Sequence, residues 1–294
     1  MENTSRPHEG PGWLVFGLSG QVGDALRAAW RDSDPRIVAV SRHGHADAPR
    51  LRWLRGRLEE IAPPPDAIAA VASLGPLDAF SHWYQAQGPS GVRVVALGST
   101  SVHSKPGSPD PAERALARTL AEAEARLAQA CAERGCPLTL LRPTLVWGNG
   151  RDRNLSRLVA LARRWRWLPL PTRAAGLRQP VHVDDVAAAV LAALRSPRPV
   201  AGHFDLPGGE ALPFDTMVGR ALAAGAPGAR LLRLPGPLFR TGVRILRHSG
   251  RLAASGEGVL ARLDQDLWVD PEPARRALAL QPRGFQPGPE MFPG

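Results

Sequence analysis

Trp13-Leu14-Val15-Phe16-Gly17-Leu18-Ser19-Gly20-Gln21-Val22-Gly23 is the stretch on which the fold turns. Four consecutive apolar residues read as a short buried strand. Three glycines spaced G-x-x-G-x-x-G follow, and Asp24, Ala25, Leu26, Ala28, Ala29 and Trp30 continue as a helix. A glycine-rich turn between a first strand and a first helix lets the backbone approach a pyrophosphate, whose charge the helix N-terminal amides then hold. Gly17, Ser19, Gly20, Gln21, Val22 and Gly23 are therefore cofactor-binding candidates. The spacing is not the commoner G-x-G-x-x-G, and a glycine set alone can serve only tight strand-helix packing. Its setting decides the matter: a second apolar strand, Arg36-Ile37-Val38-Ala39-Val40, arrives where a β-α-β unit needs it.

Outward from that unit the alternation continues. A weak strand is predicted near 51–58, another at 66–72 and a strong one at 92–97; a helix from about 110 to 133 then leads into a strand at 138–141. Strands and helices of these lengths predict an α/β fold, a Rossmann-type doubly wound parallel sheet. After Gly148 the pattern loosens, then returns as Pro180-Val181-His182-Val183 and a helix from Asp184 to Leu194. The Pro and Gly density from Gly208 onward predicts a small C-terminal substrate lobe. The expected organisation is a disordered lead-in at 1–11, a nucleotide-binding domain at 12–207 with 149–175 partly in the small lobe, and a substrate-binding lobe at 208–294.

At the end of the second strand, an acidic residue would accept hydrogen bonds from the adenosine ribose and favour NAD. Ser41 and Arg42 stand there instead, and a guanidinium suits a 2′-phosphate, so NADP is expected over NAD unless Arg42 is one more surface arginine. Leu58 and Ala72, closing the third and fourth predicted strands, join the cofactor candidates.

Composition narrows the class. The 294 residues are 44% hydrophobic, ample for a core, and carry a formal charge of +10. The positive charge is nearly all arginine, spread along a chain with 30 Gly and 30 Pro, which resembles compositional bias and argues against nucleic acid as partner. The densest basic patches, Arg163-Arg164-Trp165-Arg166-Trp167 and Arg230 to Arg251, read as solvated amphipathic helices, although the second could lie on a membrane. Cys131 and Cys136 straddle a predicted helix end without a further Cys or His set for zinc, so no metal is expected and both read as reduced packing residues. No signal peptide opens the chain, and its longest apolar run, Val186 to Leu194, is too short to span a bilayer. A soluble cytoplasmic monomer or homodimer is expected, with a small molecule as the possible partner.

Five segments together resemble the extended and atypical short-chain dehydrogenase/reductase superfamily, the NAD(P)-dependent epimerases and dehydratases that act mainly on nucleotide sugars. The first is the cofactor turn at 13–23. LGSTSVHS at 97–104 is similar to the family's S-S-T-x-V-Y-G, which implies a catalytic hydroxyl at Ser99, a matching Val102 and His103 in place of the usual Tyr. LLRPTLVWGNG at 140–150 resembles L-R-P-x-x-V-Y-G, whose Pro and Val, here Pro143 and Val146, lie against the nicotinamide half of the cofactor. GLRQPVHVDDVAAA at 176–189 resembles a signature whose Arg touches the substrate diphosphate, which makes Arg178 a substrate-binding candidate. DLWVDPEPARRALALQPRGFQP at 266–287 is similar to the family's C-terminal strand, helix and Pro-flanked tail.

One departure is chemical. The family's catalytic Tyr-x-x-x-Lys belongs on the helix before LLRP, with the Lys four residues ahead of a Glu. Taking that Glu as Glu124 puts Leu116 and Leu120 at the two positions, and a two-residue shift gives Arg114 and Arg118. The only tyrosine is Tyr84 and the only lysine Lys105. A leucine can neither exchange a proton nor depress the pKa of a phenol. His103 is a candidate acid/base by its intrinsic pKa, or else a solvated loop histidine. Tyr84 could face the cleft as a substrate-binding aromatic wall. His182 reads as a structural histidine, and Asp184 and Asp185 as caps of the next helix. Two readings follow: an NADP-dependent reductase, epimerase or dehydratase with a reorganised proton relay, or a non-catalytic NADP-binding sensor or scaffold.

Overall fold

Uninterrupted apolar stretches make strands that only a sheet covered on both faces can accommodate, and the chain builds one. The computed structural model describes residues 10–58, 60–64, 67–152, 155–239, 241–242 and 262–292. Most of the expected N-terminal lead-in, and the end of the second basic stretch, lie outside the described residues. Seven parallel strands form the main sheet: β1 (Gly12–Phe16), β2 (Ile37–Ser41), β3 (Leu51–Arg55), β4 (Ile68–Ser73), β5 (Arg93–Leu97), β6 (Leu138–Pro143) and β11 (Gly202–Leu206), in the order β11-β6-β5-β4-β1-β2-β3. The direction of winding reverses between β1 and β4, and in such sheets ligands bind at the carboxyl ends of the strands beside that reversal.

Helices α1 (Gln21–Ala29) and α6 (Val183–Arg195) cover one face, packed on Val15, Ala39, Ala72 and Val95. Helices α2 (Leu77–Gln87) and α4 (Pro111–Glu133) cover the other, on Leu14, Val38, Val71 and Val94. The alternate residues of each strand thus serve opposite cores, as a two-residue side-chain period requires. A one-turn helix, α3 (Ser101–Ser104), follows β5.

Three two-stranded ribbons extend beyond the sheet. The pair β7 (Val146–Trp147) and β10 (Val181–His182) is parallel; β9 (Leu177–Arg178) and β12 (Leu212–Pro213) are antiparallel; β8 (Trp167–Pro171) and β13 (Arg230–Leu234) are parallel. With α5 (Leu155–Trp165) and α7 (Phe214–Gly225) they enclose a separate core of Trp147, Val159, Leu168, Met217, Leu222 and Phe285. A short α8 (Glu272–Leu278) returns to the main sheet through Ala274 and Leu278.

The α/β fold with its small C-terminal sheets agrees with the sequence; several details do not. Ala72 is fully buried within β4, paired with Val15 and Val95, so its methyl belongs to the core rather than to a cofactor surface. The residues that reach the glycine turn are Leu74 and Gly75: a Cβ on Gly17 would lie 2.9 Å from the Gly75 nitrogen. Tyr84 is not a wall of the cleft. It sits about two turns into α2, fully buried, and its hydroxyl donates to the Pro89 carbonyl at 2.8 Å and meets the Cys136 sulfur at 3.2 Å. Burial pushes its phenol well above the usual range. The strand expected after Asp266 does not form; Leu267 donates instead to the Leu177 carbonyl at 3.0 Å, and Val269 to the Gln179 side chain at 2.8 Å.

Two substitutions test this packing. A Cβ on Gly23 would stand 2.2 Å from the Leu18 carbonyl oxygen. Gly23→Ala therefore lowers stability by about 1–3 kcal/mol or more, read as a fall in thermal midpoint. Tyr84→Phe costs about 1 kcal/mol in the same measurement and leaves nucleotide affinity unchanged, because the phenol serves only the core.

Candidate functional site

The glycine turn has the shape a diphosphate requires. Gly17 sits at φ +81°, a left-handed conformation close against the β4–α2 turn, and Gly20 is the N-cap of α1 with no side-chain cap. An ideal Cβ on Gly20 meets only the Gly17 carbonyl oxygen, at 3.2 Å, so packing within the chain leaves the space above it open. The first-turn amides of α1 have no helical acceptors. Open space above uncapped amides is what an anion would fill, and the residues present fit a dinucleotide's pyrophosphate. Gln21 Nε2 donates to the Gly148 carbonyl at 2.6 Å, and Arg151 pairs with Asp24, so the loop after β7 is fastened to the same helix start.

At the end of β2, Ser41 is buried and its hydroxyl faces His45 Nε2 at 3.1 Å, while Arg42 is exposed. The nearby carboxylate Asp47 is engaged by the Trp53 amide at 2.7 Å. Leu58 is half-buried on the α2–α4 side.

At the other end of the cleft, β5 runs into Gly98 and Ser99. The Ser99 hydroxyl oxygen accepts from the Ser101 amide at 3.2 Å. Val146 is half-buried, and the Pro143 carbonyl accepts from the Thr100 amide at 3.3 Å. Gly98 permits a close approach: a Cβ there would lie 3.0 Å from Glu124 Oε1. Glu124, buried on α4, accepts a bidentate hydrogen bond from Arg142 of the LLRP segment, with Nε–Oε1 at 2.9 Å, and this carboxylate raises the Arg142 pKa. The contact fixes α4 against the sheet. Leu120 and Leu116 lie one and two turns toward the helix start from Glu124, on the same face. Leu116 is 43% exposed, so packing does not account for it.

His103 Nε2 lies 3.3 Å from Asp205 Oδ1 and 3.4 Å from Arg142 Nη1, and its side chain is half exposed. His203 joins the group, 3.3 Å from Arg142 Nη2; burial first, then Arg142, lowers its pKa. Sequence reasoning missed Asp205 because β11 is an edge strand in which polar residues alternate with Phe204 and Leu206.

Arg178 is buried. Its Nη1 donates to the carbonyls of Leu177 and Gln265 at 2.7 and 2.8 Å, and its Nη2 to that of Arg262 at 2.6 Å. Burial without a hydrogen-bonded carboxylate lowers its pKa to about 10. Arg262 in turn grips Glu113 at the start of α4, Nη2–Oε1 at 2.6 Å, beside Ser108 at 2.6 Å and Lys105 at 3.8 Å. The segment 262–269 is thereby strapped across from the small lobe to α4. Lys105, the only lysine, belongs to this strap.

His182 caps α6: the Asp184 amide donates to its Nδ1 at 3.2 Å, and burial lowers its pKa. Asp184 and Asp185 hold Arg283 of the C-terminal tail rather than capping the helix. Cys131 and Cys136 are free and buried. Among the described residues no cluster of three metal-ligating side chains occurs, and no helix is long and apolar enough to cross a membrane.

Residues 64–206 match the NAD dependent epimerase/dehydratase family. No curated protein matches. Among solved structures, MoeE5 in complex with UDP-glucuronic acid and NAD is similar with a TM-score of 0.69 at 20% identity, over 96% of this chain and 97% of that one. The UDP-glucuronic acid 4-epimerase from Bacillus cereus, in complex with NAD, gives 0.65 at 15% identity over 96% and 97%. TunA, an NAD-dependent NDP-hexosamine 5,6-dehydratase involved in tunicamycin biosynthesis, gives 0.65 at 16% over 95% of both chains. Over residues 64–206 the chain is thus similar to the NAD dependent epimerase/dehydratase family, and over nearly its whole length it shares the fold of these structures.

The strap has a pH signature. The Arg262 guanidinium holds the Glu113 carboxyl at about 2, below its usual 4.5. A depressed carboxylate stabilises fully above its unfolded pKa and loses that contribution as pH falls through the folded one. Glu113→Gln thus costs about 3 kcal/mol at neutral pH, and the gap from the native protein narrows below about pH 4.5, read by urea titration across that window.

Proposed function

We propose that this chain binds NADP(H) at the carboxyl end of β1 to β5 and acts on a nucleotide sugar or related diphosphate-bearing carbonyl compound, with a proton relay that does not use the family's Tyr-Lys pair. The observation that carries the reading is the glycine turn, with Gly20 open above the uncapped start of α1. Gly17, Ser19, Gly20, Gln21, Val22 and Gly23 would take the pyrophosphate, Ser41, Arg42 and Leu58 the adenosine half, and Pro143 and Val146 the nicotinamide half. Leu74 and Gly75 replace Ala72 beside the turn.

The preference for NADP rests on the end of β2. Arg42 is exposed, Ser41 is engaged with His45, and Asp47 is occupied by backbone, so a 2′-phosphate finds a guanidinium where ribose hydroxyls would seek a carboxylate. Two of the structurally similar proteins named above are in complex with NAD and the third is NAD-dependent by name, and Arg42 is the residue on which this chain would differ.

Arg178 would meet the substrate diphosphate. Guanidinium carries five N–H donors and three are committed to carbonyls, which leaves two for an anion. A bound nicotinamide supplies hydride transfer. Ser99 would hold the reacting hydroxyl or carbonyl, and His103, with Nε2 turned to Asp205, would present Nδ1 as acid/base. Leu116 and Leu120 favour a second reading, a non-catalytic sensor or scaffold that reports NADP occupancy.

Calorimetry with the intact protein separates these statements. NADPH binds in the micromolar range or tighter and at least about tenfold more tightly than NADH, and Arg42→Ala removes that ratio. Equal affinities would leave the fold reading intact and remove the NADP assignment. Turnover with a panel of nucleotide sugars and small carbonyl compounds, read as NADPH oxidation at 340 nm for a net reduction and as chromatographic conversion of the substrate for redox-neutral epimerisation or dehydration, then decides between the readings. In the catalytic case His103→Asn lowers turnover by about 10²-fold or more at unchanged NADPH affinity. Tight NADPH binding with neither cofactor oxidation nor substrate conversion for any class leaves the sensor.

A further inference from the structure

We propose that the outer face of the ribbon formed by β8 and β13 is a docking surface for an anionic lipid bilayer. In this ribbon Trp167 is paired with Arg230 and Pro169 with Leu232, so these four side chains share one face. Leu168 and Leu170 alternate with them and turn into the small-lobe core. The outer face is apolar where a ribbon exposed only to water would be polar: Trp167 is 44% and Leu232 45% exposed. Leu238, four residues beyond the end of β13, is 63% exposed. Trp165 packs on Trp167 at 5.7 Å and widens the aromatic surface.

The charge around this face has one sign. Arg164, Arg166 and Arg230 are exposed beside it. No Asp or Glu occurs from Arg153 to Val183, which includes β8, or from Thr216 to Gly256, which includes β13. Asp215, just outside the second segment, is held by Arg233 at 2.7 Å. Elsewhere the chain interleaves acids with its arginines, as at Trp268, which is also exposed but is flanked by Asp266 and Asp270. The arginine excess is therefore segregated as well as large.

Trp and Leu at the centre of an arginine field match the interface of a bilayer. The apolar tips enter below the headgroups, the indole favours the boundary, and guanidinium groups reach lipid phosphates. A nucleic acid would reward the arginines and leave Leu232 and Leu238 without a partner. A second copy of this chain would bring the same positive charge against itself. Charge complementarity together with apolar exposure selects an anionic lipid surface.

The test uses the full chain and vesicles of phosphatidylcholine, alone or with about 30% phosphatidylglycerol, at low salt and at about 0.5 M salt. Sedimentation with the anionic vesicles is expected, at least about tenfold stronger than with phosphatidylcholine alone and weakened by salt. The double variant Trp167→Ser/Leu232→Ser lowers it about a hundredfold, because each lost apolar insertion is worth about a tenfold change. The control variant Trp268→Ser, at an exposed tryptophan outside this ribbon, leaves binding unchanged. Retained thermal midpoints and NADPH affinities show that the variants are folded. No sedimentation with anionic vesicles overturns the proposal. So does binding that ignores the apolar variants and is matched by a DNA duplex, which would mean plain charge attraction, or a protein that dimerises through this face and leaves the vesicles alone.

Discussion

The bidentate contact between Glu124 and Arg142 is the constraint on which the site depends. It joins the middle of the longest helix to the carboxyl end of a central strand, and Gly98 is what lets the carboxylate lie against the end of β5. A buried ion pair contributes little net stability by itself, but breaking it leaves a buried charge, so it fixes geometry strongly. Here it fixes the rotation of α4, with Leu116 and Leu120 on the same face of the helix as Glu124. The alternative register, with Arg114 and Arg118, does not share that face; Arg114 donates to the carbonyls of Ser108 and Pro109 at 2.7 and 3.0 Å.

The arginines have more definite work than compositional drift would give them. Arg93 caps the end of α6 through the carbonyls of Ala193 and Leu194, Arg195 grips the buried Asp34, and Arg134 reaches the carbonyls of Gly88 and Gln85. Guanidinium groups fasten helix ends that lack side-chain caps, because several donors in one plane can satisfy several orphan carbonyls. Charge counts alone hide this use.

Legibility followed burial. The interior strands of the sheet read from nearly continuous apolar runs such as Val92 to Leu97, since a strand covered on both faces has little polar side to confuse the pattern, whereas the edge strand β3, Leu51-Arg52-Trp53-Leu54-Arg55, gave only a weak signal. Strand β11 was not legible, because it lies at the sheet edge and carries His203 and Asp205. Tyr84 misled for a related reason: an aromatic after a strand end can turn toward the cleft or lie under the helix, and only the partners Pro89 and Cys136 decide. His182 was legible as structural, whereas its capping of α6 was not, since histidine seldom announces a helix start. The strap through Arg178, Arg262 and Glu113 joins residues far apart in the chain, and no local spacing encodes it.

The hydrogen bond from Gln21 to Gly148 has a consequence of another kind. Gly148 can sit where it does only because it has no side chain; a Cβ there would be 2.6 Å from His182 Nε2. His182 begins α6, whose first carboxylates hold Arg283 of the C-terminal tail. The glycine turn, the loop after β7 and the tail are thus neighbours in one contiguous set of contacts. If the tail takes two positions that differ in how well the turn accepts a dinucleotide, the dinucleotide must bias the tail by the same free energy, since such coupling is reciprocal. The far end of the chain would then register whether the near end is filled.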